Sequence, residues 1–260
     1  MSIVENHVIQ LLQKNIRLDK RKPDEFRKIS IQYGISDKSA EGSARVKIGN
    51  TEVVAGVKFA IGTPFPDTPD EGALIANVEL LPLSSPDFES GPPGIRSIEY
   101  ARAVVDRGLR ESEAIGLKKL CIKKGEKIWM VMIDVYSLND AGNLSDAIGL
   151  CALAALKDAK FPKYDEKNDV IDYKERTKKG LELKYLPVSI TVIKIGDKFL
   201  VDPTIEEENA MEARLSVTSV DDGRICAVQK GGYATLKPED IDKMIEISIE
   251  KGKELRNLLK

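Results

Sequence analysis

His7 is the only histidine in the chain, and that alone removes most nucleophilic chemistry. Serine–histidine or cysteine–histidine catalysis would have to run through it, and histidine-ligated catalytic zinc lacks its ligands. His7 also falls in a stretch that reads as a helix over 2–14. Ser2 and Glu5 form a capping box there, and Val4, Val8, Leu11 and Leu12 make one apolar stripe. An exposed or packed histidine is the expectation at that place. What remains is carboxylate, lysine, arginine and backbone-amide chemistry. Asp134, Asp140, Asp146 and Asp202 are candidate proton carriers, although spacing alone pairs none of them. Basic clusters lie at Lys14 to Lys28, Arg96 to Arg110 and Lys174 to Lys184. They fit a phosphate-contacting surface or solvated helix faces, and charge alone favours the solvated faces. There is no phosphate-binding P-loop and no dinucleotide fingerprint, because Gly49, Gly56 and Gly62 lack the spacing and the strand-to-helix context.

Composition bounds the scaffold that must carry these groups. Its 260 residues are 42% hydrophobic and 32% charged, too apolar for disorder. A chain of this length buries roughly 70–75% of its unfolded surface, enough for one large core. Forty basic against 42 acidic residues give a net charge of −2, so the whole surface is not built to coat nucleic acid. No apolar run approaches the ~20 residues that span a bilayer, and MSIVENHVIQ lacks a signal-peptide core. Cys121, Cys151 and Cys226 are too widely spaced for a disulfide framework or zinc cluster. A cytoplasmic protein with reduced thiols, no membrane contact, no metal and no cofactor is expected.

Along the chain, sheet and helix alternate without a linker. Phe26 to Ile35 reads as a strand. Ala44 to Ile48 and Thr51 to Ile61 read as a hairpin across Gly49-Asn50. A strand over Ala73 to Leu83 lies between two proline-rich loops and is followed by a helix over Ser97 to Ser112. Lys127 to Leu138 is a strong strand, ending in the turn Asn139 to Asn143. The helix after it, Leu144 to Lys157, carries only Asp146 before its final lysine and should be buried all round. A charged segment over 163–180, read as mobile, separates this half from a second one. That half has strands near Leu186 to Ile195, Lys198 to Asp202, Ala213 to Val220 and Arg224 to Gln229, then a helix over 238–259 opened by Pro238. The pattern is an internally duplicated α+β fold, β-α units around a buried central helix, in one domain spanning 1–260.

Several segments go beyond pattern. EGSARVKIGNTEVVAGVK (41–58) resembles the hairpin of the RNase PH family, phosphorolytic 3′→5′ exoribonucleases. FPDTPDEG (65–72), ANVELLPL (76–83), FESGPPG (88–94), ARAVVDRGLRESEA (101–114), NDAGNLSDA (139–147), KFLVDPTIEEE (198–208) and QKGGY (229–233) are similar to one branch of it. That branch is the non-catalytic RNase PH-like ring subunit of the archaeal exosome. The segments occur in the family's order over nearly the whole chain. The resemblance implies an RNase PH-like fold.

It also implies a site that has lost its chemistry. In active relatives the turn after the central strand reads Asp-x-Gly-Ser/Thr-Arg, and the Ser/Thr-Arg pair holds the attacking phosphate. Here it reads Asp140-Ala141-Gly142-Asn143-Leu144, and leucine offers none of arginine's planar fork. Two aspartates six residues apart in active relatives correspond to Lys179 and Tyr185, ahead of Leu186-Pro187-Val188. Neither replaces a general acid or a metal ligand simply. A relocated site would have to use Asp172, Glu175 or Glu182. The resemblance implies no activity for the chain alone and three heterodimers with a catalytic homologue in a hexameric ring. A trimer of RNA-binding cap subunits would crown that ring, and single-stranded RNA would run along arginines matching Arg102 and Arg107, with Arg110 close by. The plainer reading is that Arg102 and Arg110 pair with Asp106 and Glu113 on a solvated helix. Two other readings are an active RNase PH-type phosphorolytic exoribonuclease, which lacks its arginine and aspartate here, and a stand-alone RNA-binding module. Against the last stand the net charge and the few aromatics, 7 Tyr, 6 Phe and 1 Trp. The branch spaces its two arginines four apart. Here Ala103 is extra, and on a regular α-helix five residues would turn Arg107 about 140° away from Arg102. A π-bulge or distorted turn between 100 and 108 is therefore expected.

Overall fold

The computed structural model describes residues 2–259. Helix α1 (Ile3–Gln13) begins at the expected capping box. Glu5 N donates to Ser2 Oγ at 3.1 Å, and Ser2 N donates to Glu5 Oε2 at 2.9 Å. Its apolar stripe is narrower than the spacing suggests, because Val8 and Leu12 are buried while Val4 and His7 are exposed.

The first sheet contains β1 (Ile29–Tyr33), β2 (Gly42–Ile48), β3 (Thr51–Gly62), β4 (Ala73–Leu80), β5 (Cys121–Lys123) and β6 (Lys127–Asn139). Its order is β1-β2-β3-β6-β4, antiparallel except that β4 runs parallel to β6, with β5 on the start of β6. In β3, Thr51, Val53, Ala55, Val57 and Phe59 alternate into the core, the period-2 signature of a half-covered sheet. Over that face lies α3 (Leu144–Asp158), buried nearly all round as its composition requires. Its alanines permit close approach. A Cβ on Gly42 would come within 2.5 Å of Ala155 O and the backbone of Ala159, so only glycine fits there.

The second half repeats the plan. β9 (Val188–Ile195), β10 (Lys198–Val201), β11 (Ala213–Ser219) and β12 (Ile225–Gly232) form a sheet ordered β10-β9-β11-β12. α5 (Pro238–Leu258), with Pro at its start, lies across β9 and β11 and ends one residue before the expected 259. α3 packs against β2 and β3 on one side and β9 on the other. One buried cluster runs through both sheets, from Val46, Phe59 and Ile133 to Val192, Val217, Met244 and Leu255. Among the described residues no helix is long and apolar enough to cross a membrane.

Three elements differ from the expectation. The segment read as mobile is a hairpin, β7 (Lys160–Asp165) and β8 (Val170–Gly180). Its charges face solvent, while Phe161 stacks on Phe59 at 4.4 Å between ring centres and meets Trp129 edge-on. Composition there reports the outer face only. The helix expected over 97–112 is shifted to 95–110, as α2 (Ile95–Arg102) and then a π-helix, Ala103–Arg110, which meets the expectation of an irregular turn between 100 and 108. The short α4 (Ile205–Ala210) was not expected; Thr204 and Glu207 cap it in a capping box.

Asp146, wholly buried in the first turn of α3, ties that helix to β9. Thr191 N donates to its Oδ2 at 3.0 Å and Thr191 Oγ1 to its Oδ1 at 2.7 Å. Burial pushes its carboxyl up to about 7 in spite of those donors. The folded state therefore holds the proton more tightly than the unfolded chain, whose aspartates titrate near ~3.9. Its contribution to stability is full below about pH 4 and is lost as pH rises through about 7. Urea unfolding should show one transition for both sheets, with a midpoint that falls between pH 5 and pH 8. Asp146→Asn should flatten that fall, which is on the order of 1–3 kcal/mol.

Candidate functional site

The turn between β6 and α3 is held from every side. Gly142 has φ +90°, and a Cβ on it would lie 2.4 Å from Pro203 O, so the turn sits flush on the 203–205 backbone. Asp140 Oδ1 accepts from Gly142 N at 3.0 Å, and Thr51 Oγ1 donates to Gly142 O at 2.6 Å. Arg27 donates from Nη1 to Ala141 O at 2.7 Å and from Nη2 to Gly142 O at 3.0 Å. The same guanidinium donates to both oxygens of Asp202, at 2.8 and 2.7 Å. Arg21 adds a donor to Asp202 Oδ2 at 2.9 Å. Burial pushes the Asp202 carboxyl up, but Arg27 and Arg21 outweigh it and hold the group below its usual range.

Asn143 and Leu144, the positions at which the resemblance implies a missing phosphate grip, both turn inward. Asn143 is a left-handed residue, φ 57°, that is 2% exposed. Its Nδ2 donates to Asp202 Oδ1 at 3.0 Å, and its backbone N–H donates to Glu208 Oε1 at 2.9 Å. Leu144 is equally buried and belongs to the main core. Lys179 and Tyr185 stand apart from this turn. Lys179 is exposed on β8 with Nζ 5.4 Å from the Phe161 ring, and the Tyr185 ring lies between Lys184 Nζ and the Arg224 guanidinium, each at 4.9 Å. Among the described residues no hydrogen bond or ring contact joins Lys179, Tyr185 and the turn. The carboxylates that might have taken over are engaged at the surface. Glu175 pairs with Lys163, Glu182 with Lys119, and Asp172 accepts from Lys174 N.

The three arginines lie where α2 passes into the π-helix, and there the extra residue is absorbed. Glu111 N and Ala114 N each donate to the carbonyl five residues back, at Asp106 and Leu109. A turn closing on the fifth residue stacks positions five apart, and both Arg102 and Arg107 reach one carboxylate, that of Glu99. Arg102 Nη1 lies 3.2 Å from Oε1 and Arg107 Nη2 lies 2.8 Å from Oε2. Arg110 pairs with Asp106 at 2.8 Å, as the solvated-helix reading had it, but Arg102 takes Glu99 rather than Asp106, and Glu113 faces Lys184. Arg107 Nη1 is buried with no acceptor.

Fold and sequence now meet. Residues 25–162 match domain 1 and residues 185–251 match domain 2 of the 3′ exoribonuclease family, RNase PH. The chain belongs to that family. A curated relative in Methanocella arvoryzae, "Exosome complex component Rrp42", is 48% identical over 99% of this chain and 95% of its own length. The protein of the same name in Archaeoglobus fulgidus is 45% identical over 100% and 97%. A solved structure described as the Archaeoglobus fulgidus exosome with RNA bound to the active site superposes with TM-score 0.91 at 45% identity, covering 99% of this chain and 98% of that one. A crystal structure of rice Rrp46, 20% identical at TM-score 0.70, shares the fold.

Against the RNase PH pattern, the sequence reading had the altered turn but not the groups that hold it. Asp202 had been singled out only as one of four unpaired carboxylates, and Arg27 only as part of a basic run. From the sequence, Glu208 is legible only as part of the acidic run Glu206 to Glu208. Glu99 carried a usable signal, a carboxylate three residues before an arginine on a helix. The burial of Leu144 sets a test: Leu144→Arg should not restore a phosphate grip. It should instead destabilise the fold by more than about 3 kcal/mol, because it forces a charge into the core. Urea melts and phosphate titration of the variant check both halves of that expectation.

Proposed function

We propose that this chain is a non-catalytic subunit of a 3′→5′ phosphorolytic RNA-degrading exosome ring. One observation carries the reading: the phosphate seat is closed from inside. Leu144 points into the core, and the amide of Asn143, at the head of α3, already serves the carboxylate of Glu208. That bond occupies one of the N–H groups through which a helix N-terminus receives an anion. With Lys179 and Tyr185 in place of the two aspartates, the carboxylates that would serve as general acid or metal ligand are missing as well, and neither residue replaces them simply. The same closure argues against the active-exoribonuclease reading.

What the chain contributes is structure and charge. It alternates with a catalytic homologue as three heterodimers, shapes the partner's site, and carries a cap trimer in the cytoplasm. Arg102, Arg107 and Arg110 contact the backbone of single-stranded RNA. The exposure of Arg102 and Arg110 supports this, since 60% and 51% of their side-chain surfaces are open to a phosphate oxygen.

The test is reconstitution. The purified chain with phosphate and a 3′-tailed RNA should release no nucleoside diphosphate, while addition of the catalytic homologue should produce it. Activity from this chain alone would overturn the reading. In the assembled ring, Arg107→Ala should weaken RNA binding irrespective of sequence and make the slope of log K against log salt shallower by about 0.7.

A further inference from the structure

Among the described residues, the Glu99 carboxylate is the one group seen to hydrogen-bond both candidate RNA arginines. Its Oε1 takes Arg102 and its Oε2 takes Arg107, while Gln229 Nε2 on β12 approaches Oε2 at 3.3 Å. Glu99 therefore joins the helical segment of the first half to the edge strand of the second. The geometry depends on the π-helix, because a regular helix would carry Arg107 to another face. The pairing also leaves binding capacity unused. An arginine has five N–H donors, and Glu99 takes only one terminal nitrogen from each partner. Arg102 keeps 60% of its side-chain surface in solvent, and Arg107 keeps 25%.

We propose that Glu99 is a positioning residue for RNA, a splint that fixes Arg102 and Arg107 side by side so that both guanidinium groups meet the phosphates of one strand. This rests on the arginine–RNA reading above. Two long side chains held in advance lose less freedom on binding than two that must be ordered by the ligand. A merely local ion pair would have the opposite consequence, since a carboxylate beside two arginines repels phosphate and its removal would tighten binding.

That difference in sign makes the test sharp. Rings assembled with Glu99→Gln and with Glu99→Asp are compared with the native ring on a labelled single-stranded RNA, by equilibrium binding and by steady-state phosphorolysis. Glu99→Gln should bind RNA about three- to tenfold more weakly despite losing a negative charge, with KM raised to match and kcat unchanged. Glu99→Asp, which keeps the charge but is too short to span both arginines, should also bind more weakly. Unchanged or tighter binding by either variant overturns the splint. The double variant Arg102→Ala/Arg107→Ala separates the two ideas. If it weakens RNA binding while the Glu99 variants do not, only the splint is wrong, and if it binds RNA as well as the native ring, the arginine reading falls and takes the splint with it.

Discussion

The buried carboxylate of Asp202 is the point on which the altered site is built. It is fully enclosed, sits at φ +46°, and accepts from Arg21, from the side chain and backbone of Arg27, and from Asn143. Through Arg27 it fixes the carbonyls of the 140–144 turn, and through Asn143 it fixes the start of α3. Beside it, Arg17 and Glu207 form a second ion pair with side chains about 1% exposed. Charge-assisted bonds in so dry a place are strong only when every partner is present, and removing one strands the rest. The arrangement is thus one unit joining the N-terminal basic loop, the turn and the second sheet. It also decides which nearby acid keeps its charge. Asp202 has the arginines and stays ionised, while Asp146, buried with only neutral donors from Thr191 and Asn143 and further disfavoured by the charge of Asp202, is pushed towards its neutral form.

The helical segment solves a different problem, one of phase. An inserted residue in a helix is tolerated if it moves everything downstream round the axis or if it is absorbed locally. Here Ala103 marks the start of a π-helix. Val104, Val105 and Leu109 remain buried against the core, so the apolar face survives the insertion. The arginines on the opposite side are left on a common carboxylate. A helix type with poor hydrogen-bond geometry persists when it keeps two faces in register at once, one packed and one charged.

Much of this was legible in the chain. Strong strands, the Gly49-Asn50 hairpin, the buried α3 and the proline-opened α5 follow from alternation, turn chemistry and apolar content, which act locally. The loss of Arg and Ser/Thr after Gly142 could be seen by resemblance, and the need for an irregular turn followed from counting one residue. What stayed hidden depends on contacts distant in sequence. The β7–β8 hairpin looks like a mobile charged segment because its ordering force is Phe161 against Phe59, about a hundred residues away. Arg27 and Asp202 are separated by 175 positions, and no local rule pairs them. Even the inward turn of Leu144, which decides the fate of the site, is a property of packing and not of the tetrapeptide around it.

The two carboxylates on which the proposed function turns, Glu208 and Glu99, both accept N–H donors, and their surroundings separate them. Glu208 is sunk far enough that burial raises its pKa, and it holds a backbone amide that cannot move away. On the proposed reading, a phosphate arriving at this turn would have to displace a group built into the fold and unpack Leu144 as well. Glu99 keeps 38% of its side-chain surface in solvent and holds two flexible guanidinium groups that retain donors to spare. An anion can join such a cluster without dismantling it. On the proposed reading, lost catalysis and phosphate contact in one polypeptide need no separate causes. Both would follow from where the fold has placed its own negative charges, deep beside the 140–144 turn and shallow beside the arginines.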